Sequence, residues 1–185
     1  MKSAIRPYKK EFDYSYASGA YTTIELIRAQ PKVMETVYIH SRFNRADELK
    51  RLCESNAIDV EHNDKAFQRI NQKENSYVLG VFRKYDSTIS PNLPHCVLVN
   101  PADMGNLGTI TRTLVGFGIR NLALITPAAD IWNPKTIRAS MGAVFHIEFQ
   151  HFSSIEQYMT QFPKHHMYPF MLDGKMELRP ENLHK

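Results

Sequence analysis

Apolar positions in the first half of the chain alternate between helical and strand-like spacing. Residues 20–30 repeat apolar side chains at helical spacing, and METVYIH after them is a predicted strand. Asn44 is the predicted N-cap of the next helix, with Asp47 three positions later. The remaining predicted elements are a strand near 58–60, a helix with Ala66, Phe67 and Ile70, and a strand over 76–82. This order predicts a small α/β domain.

The second half repeats the alternation with longer apolar runs. Predicted strands cover 95–100, 121–126, 144–149 and 166–172, and predicted helices cover 106–117, 133–142 and 153–162. Pro134 suits the first turn of the second helix, and serines suit the start of the third. Strands that alternate with helices indicate a parallel sheet covered on both faces.

A segment without apolar periodicity separates the two halves. KYDSTISPNLP, residues 84–94, holds two prolines and two serines. We therefore predict a first domain over 1–85, a linker over 86–94 and a second domain over 95–185.

Composition and charge narrow the classes of protein. No apolar run approaches the length of a transmembrane helix, and no signal peptide is recognisable at the start. The two cysteines indicate neither a disulfide framework nor a zinc site, so we expect a cytoplasmic protein without a structural metal. Residues 1–51 carry ten Lys/Arg against six Asp/Glu, which is the whole net charge of +4. This excess suits an RNA-binding module or a solvated basic surface, with candidate phosphate contacts Arg6, Lys9, Lys10, Arg28, Arg42 and Arg45.

Two glycines flank one arginine in the helix predicted over 106–117. Gly108 and Gly116 lie four residues before and after Arg112, and each interior glycine costs a helix about 1 kcal/mol relative to alanine. Either a ligand or another backbone approaches closely there. Arginine suits a phosphate or carboxylate ligand because its planar fork gives two hydrogen bonds. Asn106 is a predicted cap that faces the same crevice, beyond the carboxyl end of a parallel strand.

A dinucleotide-binding turn is the competing interpretation of this segment. GNLG and GFGIRN both depart from the spacing of G-x-G-x-x-G, although Asp130 falls about 20 residues further on, where an acidic ribose ligand is expected. A Rossmann-type nucleotide enzyme therefore stays open as an alternative at this point.

The stretch NPADMGNLGTITRTLVGFGIRNLALI resembles the first motif of the SpoU–TrmH family of RNA methyltransferases. Asn106, Gly108 and Arg112 fall on its Asn-x-Gly-x-x-x-Arg pattern, and NPKTIRASMGAVFHIEF is similar to the segment that follows in the family. The first half is similar to the small RNA-binding domain that many members carry, mainly in SGAYTTIELI. In the second segment the matching positions are Pro134, Arg138, Ala139, Ser140 and Gly142.

The resemblance implies methylation of a ribose 2′-hydroxyl in ribosomal or transfer RNA, with S-adenosylmethionine as cofactor. It also implies a homodimer and a SPOUT-type parallel-sheet α/β domain behind a small N-terminal α/β RNA-binding domain. Asn106 and Arg112 are the implied catalytic residues. Arg138 and Ser140 join Arg28 and Arg42 as RNA-binding candidates, with turn formation as the alternative role of Ser140.

Two later family motifs have no match in the sequence. These are a strand and loop built on Gly-x-Glu and a proline-containing loop with Ser-Leu-Asn, which form the family's C-terminal knot and most of its cofactor pocket. We therefore expect a C-terminally incomplete SPOUT-type domain without the knot, with Leu172 and Asp173 at the edge of the cofactor site. An RNA-binding protein without catalysis is the alternative, and an uncovered apolar face is expected to promote association.

Overall fold

A computed structural model describes residues 5–70 and 76–171, together with the isolated positions 174 and 179. The first half forms a four-stranded mixed sheet in the order β1-β4-β2-β3, in which only β2 and β3 are parallel. A short 3₁₀ turn, Pro31–Val33, leads into β2. The elements are β1 (Tyr14–Ser18), α1 (Ala20–Ala29), β2 (Met34–Ile39), α2 (Ala46–Glu54), β3 (Asp59–His62), α3 (Asp64–Arg69) and β4 (Val78–Arg83).

The second half forms a three-stranded parallel sheet in the order β5-β6-β7, in agreement with the predicted parallel α/β architecture. Ser154 caps the last helix through its hydroxyl, as the sequence predicts. No helix in the described residues is long and apolar enough to cross a membrane. The elements are β5 (His95–Val99), α4 (Met104–Gly116), β6 (Asn121–Ile125), α5 (Pro134–Ala139), β7 (Glu148–Phe152) and α6 (Ile155–Gln161).

Four local predictions are wrong. Asn44 does not cap α2, which begins at Ala46 after Arg45 without a side-chain cap. Residues 143–146 form a 3₁₀ turn instead of a strand, because Gly142 turns the chain in the left-handed region (φ 81°) and β7 begins only at Glu148. Residues 166–171 form no strand.

The fourth error is the omission of β1. This strand, Tyr-Ser-Tyr-Ala-Ser, is buried along its whole length, so its small polar residues lie on a second buried face and not in solvent. Ser15 in this strand is buried, and its hydroxyl is satisfied because it donates to the Trp132 carbonyl at 2.5 Å. Tyr14 and Tyr16 are buried as well, so they do not offer stacking surfaces to RNA, whereas Tyr21 is exposed.

The two sheets share one apolar cluster. Ala17, Leu26 and Phe82 of the first half pack in the same cluster as Trp132 and Phe145 of the second. The Phe82 ring lies 5.6 Å from Trp132 and 5.3 Å from Phe145, both edge-on. The division into two domains with a linker over 86–94 stays a prediction. A shared apolar core joins the two proposed domains in the structure.

Candidate functional site

The first site element is the loop from β5 into α4. Asp103 is the N-cap of α4, and its carboxylate accepts the Asn106 backbone N–H at 2.7 Å. Asn106 is therefore not the cap that the sequence suggests, but the third residue of the helix, with an exposed side chain. The Asp103-x-x-Asn106 spacing is itself a capping signal, since Asp is a favoured N-cap residue.

Arg112 lies six residues further along α4, also on its solvent-exposed side. Helical spacing places Thr109 and Thr113 on this side too, and all four residues are exposed. The two threonine hydroxyls donate to the carbonyls of Gly105 and Thr109, so they are occupied by the helix backbone. Among the described residues no carboxylate pairs with Arg112. Its guanidinium is free to bind an anion.

The opposite side of α4 packs closely against α5. A Cβ added to Gly108 would overlap the Thr136 carbonyl oxygen and would lie 2.6 Å from the Ala139 Cβ. Gly108 therefore serves a close helix contact and not the approach of a ligand. Gly116 has nothing within 4 Å of its Cβ position, so packing does not require a glycine there. Leu107 and Leu114 of α4 are buried, whereas Phe117, the residue after the helix, is 83% exposed.

Helix α5 presents one of its two predicted RNA contacts to solvent. Arg138 is exposed, whereas Ser140 is 0% exposed. The Ser140 hydroxyl donates to the Ile137 carbonyl at 2.8 Å and accepts the Val144 N–H at 3.4 Å. The prediction that Ser140 binds RNA is therefore corrected, because its hydroxyl stabilises the turn after α5. Pro134 occupies the predicted first turn.

The predicted RNA contacts of the first half lie at separate places. Arg28 is exposed on α1 and pairs with Glu25 at 3.3 Å. Glu25 also meets His146 of the second half at 2.9 Å, so Arg28 lies beside the junction of the two halves. Arg42 is exposed in the turn after β2, where its backbone N–H donates to His40 Nδ1 at 3.1 Å. Leu172 and Asp173 lie outside the described residues.

The alternative nucleotide site loses its acidic ligand. Both carboxylate oxygens of Asp130 accept hydrogen bonds within the protein, one from the Trp132 backbone N–H at 3.0 Å and the other from the Tyr8 hydroxyl at 2.5 Å. Asp130 therefore organises the loop after β6 and leaves no free oxygen pair for a ribose. No group of three or more His, Cys, Asp or Glu side chains suited to a metal occurs in the described part of the chain.

The arrangement can hold and orient an anionic, hydroxyl-bearing ligand. Asn106 offers an amide, and Arg112 offers a two-pronged cation, on a helix that α5 holds in place. The helix starts at the carboxyl end of a parallel strand, where open α/β sheets bind ligands. The candidate site is therefore the polar, exposed face of α4, whose opposite face packs against α5.

Sequence comparison identifies related proteins over part of the chain. The family model for the SpoU rRNA Methylase family matches residues 94–182. The mitochondrial rRNA methyltransferase 3 of Xenopus tropicalis is 32% identical over 130 residues, which cover 62% of this chain and 30% of that protein. The mouse protein of the same name is 35% identical over 79 residues, 38% of this chain and 19% of its own length. The chain thus spans less than a third of these relatives.

Solved structures share the fold. An AdoMet-bound rRNA methyltransferase from Sinorhizobium meliloti superposes with a TM-score of 0.67 at 21% identity, over 82% of this chain and 58% of that one. An AdoMet complex of a SpoU methyltransferase from Streptomyces viridochromogenes gives 0.66 at 18% identity, over 80% and 58%. At such identities the likeness establishes the fold alone. Residues 94–182, just under half of the chain, are therefore similar to the SpoU rRNA Methylase family, in a fold shared with these solved structures.

Proposed function

We propose that the protein transfers a methyl group from S-adenosylmethionine to a ribose 2′-hydroxyl of ribosomal RNA. The observation that carries the proposal is the exposed Asn106–Arg112 side of α4, which falls on the family's motif inside the matched segment. Relatives named as rRNA methyltransferases, and neighbours with bound AdoMet, support the substrate and the cofactor.

Arg112 acts in this proposal as an anchor for the substrate phosphate. A guanidinium is a poor proton acceptor, but it gives two parallel hydrogen bonds to a phosphate. The phosphate fixes the neighbouring ribose, and the Asn106 amide orients its hydroxyl from six residues earlier on the same helix. Bound S-adenosylmethionine would give its methyl group to the 2′-oxygen and leave as the neutral thioether, and the hydroxyl proton would pass to solvent water.

The cofactor supplies an electrophilic methyl group on a sulfonium and needs a largely apolar crevice. Val99, the last residue of β5, is 60% exposed, and Asn100 after it turns the chain in the left-handed region (φ 50°). Apolar surface is thus open beside the start of the loop to Asp103 and Asn106. This fits a cofactor at the carboxyl end of β5, next to the substrate anchor.

Calorimetric titration tests the cofactor assignment and separates it from the nucleotide alternative. We expect the protein to bind S-adenosylmethionine in the micromolar range and not to bind NADH, because Asp130 is already occupied. Heat with NADH alone would favour the Rossmann-type enzyme. RNA binding without any heat from S-adenosylmethionine would favour an RNA-binding protein that lacks catalysis.

We further propose that the chain forms a homodimer. Strand β5 is the edge of its sheet in the described residues, yet it is apolar along most of its length and only half-buried. An apolar edge strand of this kind favours association with another chain. Sedimentation velocity is expected to show dimers at micromolar concentration, and a monomer throughout that range would contradict the proposal.

A further inference from the structure

A second concave site lies at the carboxyl ends of β6 and β7, away from Arg112. It is a cavity of about 270 Å³ bounded by the loop after β6, by Asp86 between the two sheets, and by the N-terminal segment that carries Lys10. Its main lining side chains are Lys10, Asp86, Pro127, Trp132, Phe149 and His151. None of these residues belongs to the site on α4.

Three contacts hold the wall that carries Lys10 in place. The Tyr8 hydroxyl donates to Asp130 at 2.5 Å, which fastens the N-terminal segment to the loop after β6. The Lys84 ammonium donates to the Lys10 carbonyl at 2.8 Å and lies 4.9 Å above the Tyr8 ring. Lys10 therefore extends from a fastened backbone, and the cavity is a built feature of the contact between the two halves.

The cavity and the α4 site share one edge of the parallel sheet. The Ala129 N–H, in the cavity wall, donates at 2.6 Å to the carbonyl of Pro101, which lies three residues before the start of α4. The carboxyl ends of β5, β6 and β7 meet at this edge because the strands are parallel and paired in register. A polymer bound along the edge would therefore meet both places.

The cavity lining combines an apolar floor, in which the Trp132 and Phe149 rings meet edge to face, with a few polar groups. Trp132 and Phe149 are buried, with ring centroids 5.3 Å apart, and Pro127 lies beside them. Asp86 accepts hydrogen bonds only, and Lys10 donates only. In the described part of the chain neither of them forms an ion pair, so both are available to a ligand.

His151 adds a neutral group at the mouth. Burial lowers the pKa of His151, with opposing influences from the carboxylates of Asp86 and Asp130, which raise it, and from Lys10, which lowers it. The imidazole is therefore neutral near pH 7, when one ring nitrogen donates and the other accepts. Such a group can form hydrogen bonds to the edge of a heterocyclic base without adding charge to the site.

We propose that this cavity binds an unstacked RNA base that carries an exocyclic amino group, at a nucleotide near the methylated ribose. The base lies over the apolar floor, its amino group donates to Asp86, and its phosphate meets Lys10. The proposal rests on the proposed function for its RNA. A free nucleotide and the adenine of S-adenosylmethionine share this chemistry, so the experiment includes both.

Trp132 is the single tryptophan of the chain, so its fluorescence reports on this cavity directly. We expect oligoadenylate and oligocytidylate to quench it saturably, and oligouridylate to bind about tenfold more weakly, since losing one charge-assisted hydrogen bond costs about 1.4 kcal/mol. Asp86→Ala is expected to remove the preference, while Asp47→Ala on α2, also an exposed acid, keeps it.

A second matched pair tests the phosphate contact. Lys10→Ala is expected to weaken binding of the oligonucleotides about tenfold and to leave binding of adenosine unchanged, whereas Lys32→Ala, at an exposed lysine outside the cavity, changes neither. Absence of quenching with every oligonucleotide, or equal losses in Asp86→Ala and Asp47→Ala, would overturn the proposal. So would AMP or S-adenosylmethionine binding as tightly as the oligonucleotides, because the site would then serve a free small molecule.

The fluorescence result is independent of the proposed methyl transfer. Quenching without any methylation would support the base site and would contradict the function. The opposite result would contradict the base site and keep the function. In that case no oligonucleotide quenches the wild-type fluorescence, and Asp86→Ala methylates RNA with the affinity of the wild type.

Discussion

Arg112→Ala is expected to reduce methyl transfer at least about 100-fold, the usual effect of removing one charge-bearing group that holds a reacting centre. The side chain is exposed and forms no ion pair in the described residues, so the fold and its unfolding temperature are expected to stay unchanged. Methylation of RNA by wild-type protein and variant, at equal concentration and with circular dichroism of both, checks this result.

Two further variants distinguish anchoring from general charge. Arg112→Lys keeps the charge but loses the planar fork, so it is expected to recover only part of the rate. Arg138→Ala removes an exposed arginine from the neighbouring helix and is expected to raise KM for RNA with little change in kcat. Wild-type rates in Arg112→Ala would contradict the assignment of this residue to the site.

Gly108→Ala is expected to lower the free energy of unfolding by about 2 kcal/mol, as overpacking of a close contact does. The added methyl group would meet the Thr136 carbonyl and the Ala139 side chain, which belong to the helix that holds α4. We therefore also expect reduced methylation, because α4 and its exposed side shift together. Urea unfolding followed by circular dichroism measures the stability.

Gly116→Ala is the matched control on the same helix. Its Cβ position is open to 4 Å and its backbone is helical, so alanine is expected to stabilise the protein by up to about 1 kcal/mol. Equal destabilisation in both variants would mean that the packing of α5 against Gly108 is not the reason for the glycine.

Strong local patterns in the sequence predicted most of the fold. The helix over 20–30, the strands over 95–100 and 121–126 and the serine cap of α6 all appear, because each depends on spacing or on a single capping residue. Strand β1 was missed because both of its faces are buried, and it acquires its partners only from β4 and from Trp132 far along the chain.

The candidate site was predictable to a lesser depth. The motif placed Asn106 and Arg112 on one helix, and that placement is a matter of local spacing. The role of Gly108 stayed open because a glycine is required equally by the close approach of a ligand and by the close approach of another helix. Only the position of α5 in the structure distinguishes the two reasons. The burial of Ser140, and the capping of α4 by Asp103 in place of Asn106, also depend on hydrogen-bond partners that the structure supplies.

The base cavity had almost no signal in the sequence. Lys10 was one of six candidate phosphate contacts with nothing to distinguish it, and Asp86 and His151 lie 76 and 141 positions away from it along the chain. They come together because β7 brings His151 to the edge of the sheet and because Tyr8 fastens the N-terminal segment to Asp130. Convergence of this kind depends on tertiary structure.

Methyl transfer to ribosomal RNA, followed by alkaline hydrolysis, tests the central claim most directly. A 2′-O-methyl group blocks alkaline cleavage of the following phosphodiester, so it leaves a dinucleotide that resists alkali. With S-adenosylmethionine labelled in its methyl group, we predict label in alkali-resistant dinucleotides for the wild type and its loss in Arg112→Ala. Label confined to mononucleotides, which marks methylated bases, or no transfer at all, would contradict the account.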